Sequence, residues 1–177
     1  MTPQEIYVET AAIIDDYKTR LNKYSLQQFQ LKPAPDRWCV GEVYTHLIRA
    51  TLLYHLRMVD RCLTNLENAD VPSKPHAKAE FEANESAPVK VKVASSPGYD
   101  PPMPESIEKV RDDIEAVLRR LLSTRDKLLT EPESGKTEHP SYGFIDAKQW
   151  YQVIGMHWKH HLMQLEELET IIASKSV

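Results

Sequence analysis

Histidine is the residue type whose spacing in this sequence could support chemistry. His157 and His161 stand four residues apart in a segment whose apolar residues recur with helical periodicity. With His157 placed at 0° and about 100° allowed per residue, His161 falls at about 40° and the apolar Leu168 at about 20°. His160 falls at about −60°, at the margin of the apolar stripe. The spacing therefore predicts that His157 and His161 point into the protein from one helix face.

A third histidine, on an earlier helical segment, is predicted to meet this pair. His46 comes one turn after Val43 and one turn before Ala50, so it shares their predicted buried face. His55 falls on a different side of the same segment and is predicted to be exposed. The three inward imidazoles are therefore predicted to belong to His46, His157 and His161.

Three inward imidazoles are expensive to bury without partners. Charged rings repel one another, and each neutral ring still needs a partner for both of its nitrogens. One divalent metal ion satisfies all three, because an i,i+4 pair and one histidine from a facing helix can reach the same ion. Three protein ligands leave a position open for water or substrate, which is the pattern of catalytic zinc. The alternative is three ordinary core histidines, each bonded to a tyrosine, a carboxylate or a carbonyl group.

One amide and two cysteines are the other residues that could contribute to such a site. Gln164 falls at about −20° on the same helix, so it either bonds the second nitrogen of a ligand histidine or is an ordinary half-buried amide. Cys39 and Cys62 lack CxxC spacing, which argues against a thiolate zinc site and a disulfide framework. Neither cysteine has an activating neighbour in the sequence, so both are predicted to be inert thiols.

Four amphipathic helices must position these residues. The predicted helices run from Thr2 to the Lys32–Asp36 segment, from just after Trp38 to about Glu67, from near Pro104 to the Glu131–Gly135 segment, and from Asp146 to about Ala173. No convincing strand pairs lie between them. This pattern predicts an all-α four-helix bundle, with residues 1–177 forming a single domain.

A long proline-rich crossing is predicted between the second and third helices, from about Asn68 to Met103. Seven of the twelve prolines fall between Pro72 and Pro104. A structureless connection of this length is either disordered or a functional cover over a site. It also permits the second and third helices to run parallel. The alternating Val89–Val93 segment is interpreted as an extended piece of this crossing.

Charge and hydropathy exclude two classes of partner. The 22 basic and 26 acidic residues give a net charge of −4, so the basic surface of a nucleic-acid-binding protein is not expected. The sequence contains no uncharged apolar run of about 18 residues, so no membrane span is predicted. The N-terminal residues lack the pattern of a secretory signal, and the predicted location is cytoplasmic.

Three stretches of the sequence together resemble the DinB-like family of metal-binding four-helix proteins, which includes bacillithiol and mycothiol S-transferase types. They are Trp38–Leu47, His139–Phe144 with Gln149-Trp150, and His157–Gln164. The resemblance implies that His46, His157 and His161 are metal ligands and that zinc or nickel is the metal. It also implies an up-down-down-up bundle and a homodimer. Two positions depart from the family pattern: Cys39 replaces a serine-like cap, and Leu162-Met163 replaces a frequent Arg-Gly.

Two functional classes follow. The first is a metal-dependent enzyme that, as the resemblance implies, transfers a low-molecular-weight thiol onto an electrophile or catalyses hydrolysis. An open metal site can bind a thiolate or lower the pKa of water. No general base is assigned, although His139 and His160 are candidates because imidazole titrates in the right range. The alternative is a non-enzymatic bundle that binds a metal or small ligand and dimerises.

Overall fold

A computed structural model describes residues 1–86, 100–131 and 133–175 of the chain, and the described part is mostly helical. The helices are α1 (Pro3–Arg20), α2 (Leu26–Phe29), α3 (Val40–Arg49), α4 (Leu56–Thr64), α5 (Ala77–Ala83), α6 (Ile107–Thr130) and α7 (Ala147–Lys175). A 3-10 turn at Leu21–Lys23 follows α1, and a π-helical segment at Ala50–His55 joins α3 to α4 without a break. Two short strands, β1 (Lys136–His139) and β2 (Gly143–Asp146), precede α7.

Four long helical stretches pack together, as the periodicity predicts. Helix α1 packs against α6 and α7, while α3 and α4 pack against α7. Fully buried aromatic residues lie at the centre of these contacts: Tyr17, Tyr44, Trp150, Tyr151 and Trp158. The tyrosine hydroxyls are paired with backbone carbonyls, for example Tyr17 with Trp158 and Tyr44 with Tyr17. The predicted up-down-down-up order of helix directions stays a prediction.

The helix starts follow the predicted caps more closely than the helix ends. Thr2 and Glu5 form the predicted capping box of α1. Asp146 accepts a hydrogen bond from the backbone N–H of Gln149 at 2.8 Å, at the start of α7. The predicted continuation of the first helix to Lys32 is wrong, because Tyr24 is extended and Ser25 caps the new helix α2. The second stretch ends at Thr64 rather than at about Glu67.

A two-stranded antiparallel sheet corrects the prediction that no strands pair. Strands β1 and β2 pair with Lys136 opposite Asp146 and His139 opposite Gly143. The turn between them requires a positive φ of 71° at Gly143, which a glycine adopts without strain. The Nδ1 atom of His139 accepts the backbone N–H groups of Ser141 and Tyr142, which stabilises the turn. This hairpin leads directly into α7 and so fixes the start of that helix.

The crossing between the second and third long stretches is only partly extended. It contains α5, and Ser73 forms an isolated bridge with Gly143 of the hairpin. The buried Gln152 of α7 donates to the carbonyl of Phe81 at 2.7 Å, which attaches α5 to α7. The Val89–Val93 segment lies outside the described residues.

Across the described ranges, no helix has both the length and the apolar character needed to cross a bilayer.

Candidate metal centre

Three imidazoles converge between α3 and α7, as predicted. The Nε2 atom of His157 lies 3.1 Å from Nε2 of His46 and 3.2 Å from Nε2 of His161. One ligand atom from each ring lies within 4.8 Å of the other two. All three residues are half-buried, so the cluster sits at the edge of the core rather than inside it.

The local structure of two helices accounts for this convergence. In α7 the buried residues Ile154, Trp158 and Leu165 pack into the core around the histidines. In α3 the buried residues Val43 and Leu47 hold the face that carries His46 against α7. Because α7 is a regular helix through this region, a spacing of four residues places His157 and His161 side by side.

Trp38 packs over the first ligand of the cluster. Its ring lies 4.9 Å from the ring of His46, measured between centroids. The indole Nε1–H donates to a carboxylate oxygen of Asp100 at 3.2 Å. Trp38 therefore restricts the rotation of His46 and shields one side of the cluster from solvent.

Burial keeps the three imidazoles neutral. It lowers the pKa of His46 to about 4, with a smaller contribution from His161. Burial also lowers the pKa of His161 to about 4, although the hydrogen bond to Gln164 opposes the change. The pKa of His157 lies well below its ordinary value because of burial and the neighbouring histidines. Neutral imidazole is the form that binds a metal ion.

The donor set fits a divalent metal ion. Two nitrogens held at 2.0–2.1 Å from a tetrahedral zinc ion lie about 3.3 Å apart, close to the observed separations of 3.1 and 3.2 Å. Within the described residues, the partner of each Nε2 atom is another imidazole of the cluster. The alternative was three separate core histidines, each bonded to a tyrosine, a carboxylate or a carbonyl group. That alternative does not match the Nε2 contacts, which join the imidazoles to one another.

Gln164 contacts the cluster from its own helix. Its side-chain oxygen lies 2.8 Å from Nδ1 of His161. An amide oxygen accepts a hydrogen bond from the Nδ1–H group, and this leaves the lone pair of Nε2 facing the other two rings. The contact is the one anticipated for Gln164, while its role in metal binding stays a prediction.

His55 lies beside the cluster, and the prediction that it is exposed is wrong. It is 5% exposed, and its ring lies 5.3 Å from that of His157. Nine residues of α-helix would place His55 about 180° from His46, but the i→i+5 turns of the π-helical segment take up extra residues and return it to the inner face. The sequence does contain a signal for the burial of His55. It stands four residues before Val59 and seven before Cys62, and all three share a buried face.

The remaining candidates lie at different distances from the centre. His160 is half-buried, with its ring 5.5 Å from that of His161. His139 packs between Tyr142 and Trp150 at the hairpin, and burial lowers its pKa to about 4.

Both cysteines are buried and unpaired by disulfides. Burial raises the pKa of Cys39 to about 11, in agreement with the prediction of an inert thiol.

Comparisons with known proteins bear on this arrangement. The sequence profile of the DinB superfamily matches residues 9–165. The chain is also similar to the uncharacterized protein YuaE of Bacillus subtilis (strain 168), at 23% identity over 151 residues. That alignment covers 84% of this chain and 88% of YuaE. No solved structure matches the chain. The matched range contains all three histidines of the cluster.

Proposed function

This chain belongs to the DinB superfamily, and we propose that it is a metal-dependent enzyme whose centre is formed by His46, His157 and His161. The observation that carries the proposal is the convergence of three neutral imidazoles: Nε2 of His157 lies 3.1 Å from that of His46 and 3.2 Å from that of His161, and one ligand atom of each ring lies within 4.8 Å of the other two. Zinc or nickel is the proposed ion, because the resemblance to the DinB-like family implies these two metals and imidazole nitrogen suits both.

The proposed reaction is the transfer of a low-molecular-weight thiol onto an electrophile. When bound, a divalent ion supplies Lewis acidity that stabilises a thiolate and lowers the pKa of water. No aspartate or glutamate among the described residues joins the histidine cluster. A thiol, with a pKa of about 8.5, needs less help from a base than water does, which favours transfer over hydrolysis.

Residues of the chain have separate roles in this proposal. His46, His157 and His161 hold the ion, and Gln164 orients His161 through the hydrogen bond to Nδ1. Trp38 shields the His46 side of the centre. His160, at the margin of the cluster, is the proposed residue for accepting a proton, since its ring is next to that of His161.

Metal analysis of untagged protein, purified without chelators, tests the metal centre. We expect about one ion per chain, as one set of three ligands predicts. His161→Ala is expected to lose the ion, whereas His76→Ala, at an exposed position on the start of α5, keeps it. Wild-type protein that binds neither zinc nor nickel would contradict the proposal.

Turnover assays then test the reaction. Metal-loaded protein is supplied with low-molecular-weight thiols and electrophilic acceptors, and separately with ester substrates. We expect thiol consumption in wild type and in His76→Ala but not in His161→Ala. Ester hydrolysis without thiol transfer would favour the hydrolase. Turnover that is equal in wild type and His161→Ala would contradict a metal-dependent reaction.

A non-enzymatic metal-binding or small-ligand-binding bundle is the second candidate. The observation that favours it is the lack of a carboxylate base in the described cluster. One bound ion per chain without turnover of any thiol or ester would support this candidate, because family membership does not fix activity.

The finer features of the assembly are also proposals. The up-down-down-up helix order is supported by the long connection between α4 and α6. A homodimer is supported by the exposed apolar residues Leu122 and Leu129 of α6 and Val8 of the adjacent α1. Sedimentation velocity of wild type and Leu129→Lys tests the dimer. A monomeric wild type would exclude it.

A further inference from the structure

Three buried polar atoms beside the histidine cluster have no hydrogen-bond partner within the described residues. They are Nδ1 of His55, Nδ1 of His157 and Nε1 of Trp150. The ring of His55 neighbours both of the others, with its centroid 5.3 Å from that of His157 and 6.1 Å from that of Trp150. Buried polar atoms are nearly always paired, so three unpaired atoms on neighbouring rings require an explanation.

The chemistry of metal binding defines what His157 needs. An imidazole that presents the lone pair of Nε2 to a metal ion carries its proton on Nδ1. That N–H group requires an acceptor, because second-nitrogen partners orient ligand histidines. His161 has Gln164 in this role, but His157 has no such partner on its own helix.

The three unpaired atoms are complementary to one water molecule. The N–H groups of His157 and Trp150 are donors, and Nδ1 of a neutral His55 is an acceptor when its proton is on Nε2. A buried water typically makes about three hydrogen bonds to groups of this kind. Here it would accept two hydrogen bonds and donate one.

We propose that His55, together with Trp150, holds a buried water against Nδ1 of His157 and thereby positions that ligand. This inference rests on the proposed function, since it requires His157 to bind a metal through Nε2. His55 acts through His157 and is a positioning residue.

The π-helical segment explains how this residue reaches the site. Because His55 comes nine positions after His46, a regular α-helix would turn one of them away from α7. The segment Ala50–His55 brings both rings to within 5.0 and 5.3 Å of His157. Single π turns occur frequently at functional sites, and here the π-helical segment places His55 on a face that a regular α-helix would not give it.

Zinc affinity, measured by competition with a chromophoric chelator, tests the proposal. His55→Leu is expected to weaken zinc binding by about 10–100-fold, as the loss of an outer partner does. His55→Gln retains an amide oxygen as acceptor and is expected to recover most of the affinity. The matched control is Tyr151→Phe, which removes a buried hydroxyl of the core that donates to the carbonyl of Leu121, away from the π-helical segment. It should reduce stability without changing the affinity for zinc.

The protonation of the rings provides a second readout that does not depend on any variant. Two-bond ¹H–¹⁵N correlation spectra of the zinc-loaded wild type should show a proton on Nδ1 of His157 and on Nε2 of His55. A proton on Nδ1 of His55 would overturn the proposal. Because this measurement uses the wild-type protein, it tests the proposal even when His55→Leu does not fold.

The outcomes separate this inference from the proposed function. Wild type that binds zinc while His55→Leu binds it equally well would overturn the role of His55 alone. Equal losses in His55→Leu and His55→Gln would indicate packing, and would also overturn it. Wild type that binds no zinc would overturn both proposals.

Discussion

The two helical stretches that build the histidine cluster differ in regularity. Helix α7 runs from Ala147 to Lys175 as one α-helix, whereas the opposing stretch changes to π-helical geometry between α3 and α4. In α7 every histidine lies at the angle that its spacing predicts. In the opposing stretch the prediction holds for His46, before the π-helical segment, and is wrong for His55, at its end. A single change of helical pitch therefore decides which imidazoles reach the site.

The hydroxyl of Thr51 links the π-helical segment to the preceding helix and to α7. The Thr51 hydroxyl donates to the carbonyl of Leu47 at 2.8 Å and accepts from Nε1 of Trp158 at 2.9 Å. A hydroxyl that bonds the carbonyl four residues earlier tends to distort a helix. The contact with Trp158 also fixes the π-helical segment against α7, the regular partner.

Deletion of Lys159 from α7 should have the largest effect. It would rotate every later residue by about 100°, removing His161 from the cluster and Leu165 and Leu168 from the core. We expect a loss of several kcal/mol in the free energy of unfolding and no metal binding. Chemical denaturation and metal analysis measure both. A deletion variant that retains the ion would contradict the account of α7 as a helix whose register must be kept.

Low pH should destabilise the metal-free protein through histidines of both stretches. The pKa values of His46 and His161 fall to about 4 and that of His55 to about 3, all because burial disfavours the charged ring. Below pH 6.5 the unfolded chain therefore binds more protons than the folded one. The contribution of these histidines to the free energy of unfolding is fully present above that pH. It decreases toward pH 4, by up to about 1.4 kcal/mol per pH unit for each histidine.

Urea denaturation between pH 7.5 and 4.5 measures this slope. His55→Gln and His161→Gln should each reduce the slope by the contribution of one histidine. Equal slopes in wild type and both variants would show that these rings do not titrate differently in the folded and unfolded chain.

Gln164→Leu tests the partner that α7 supplies from its own sequence. The loss of the 2.8 Å contact with Nδ1 of His161 should weaken zinc binding by about 10–100-fold, because the ring is no longer oriented. Gln164→Glu keeps an acceptor oxygen and should bind at least as well as wild type. Competition with a chelator measures the zinc affinity of both variants. Unchanged zinc affinity in Gln164→Leu would show that Gln164 has no part in metal binding.

Deletion of Leu53 from the π-helical segment should have the smallest effect. This residue is 53% exposed, and its removal converts an i→i+5 turn into an α-helical one while His55 keeps its inner face. We expect a change in unfolding free energy within about 1 kcal/mol, in contrast to the deletion of Lys159. Circular dichroism and metal analysis measure the outcome, and an unfolded variant would show that the irregular turn itself is required.

Several features were predictable because they depend on local spacing. The caps at Thr2 and Asp146 use side chains three residues from their partners, so the sequence displays both members. The convergence of His157 and His161 depends on one helical turn. Their meeting with His46 also required the assumption that two apolar faces pack together, which the buried Val43 and Leu47 support.

Other features depend on contacts that are distant in the sequence. The β1–β2 hairpin has strands of only four residues, and β1 contains Lys136 and Glu138, so no apolar alternation reveals it. The break before Ser25 involves the hydroxyl of Tyr24, which donates to Glu169 of α7. Neither the pairing of β1 with β2 nor the contact of Tyr24 with Glu169 can be inferred from the local sequence.

The helical class, the main caps and the set of three histidines follow from the order of residues, because helical periodicity relates residues only a few positions apart. That His55 joins them is visible only in the folded chain, where the π-helical segment returns it to the inner face and packs on α7 through the contact of Thr51 with Trp158, 107 positions away in the sequence. A pattern with a fixed angle per residue cannot report a change in that angle, because contacts between helices form only when the helices pack.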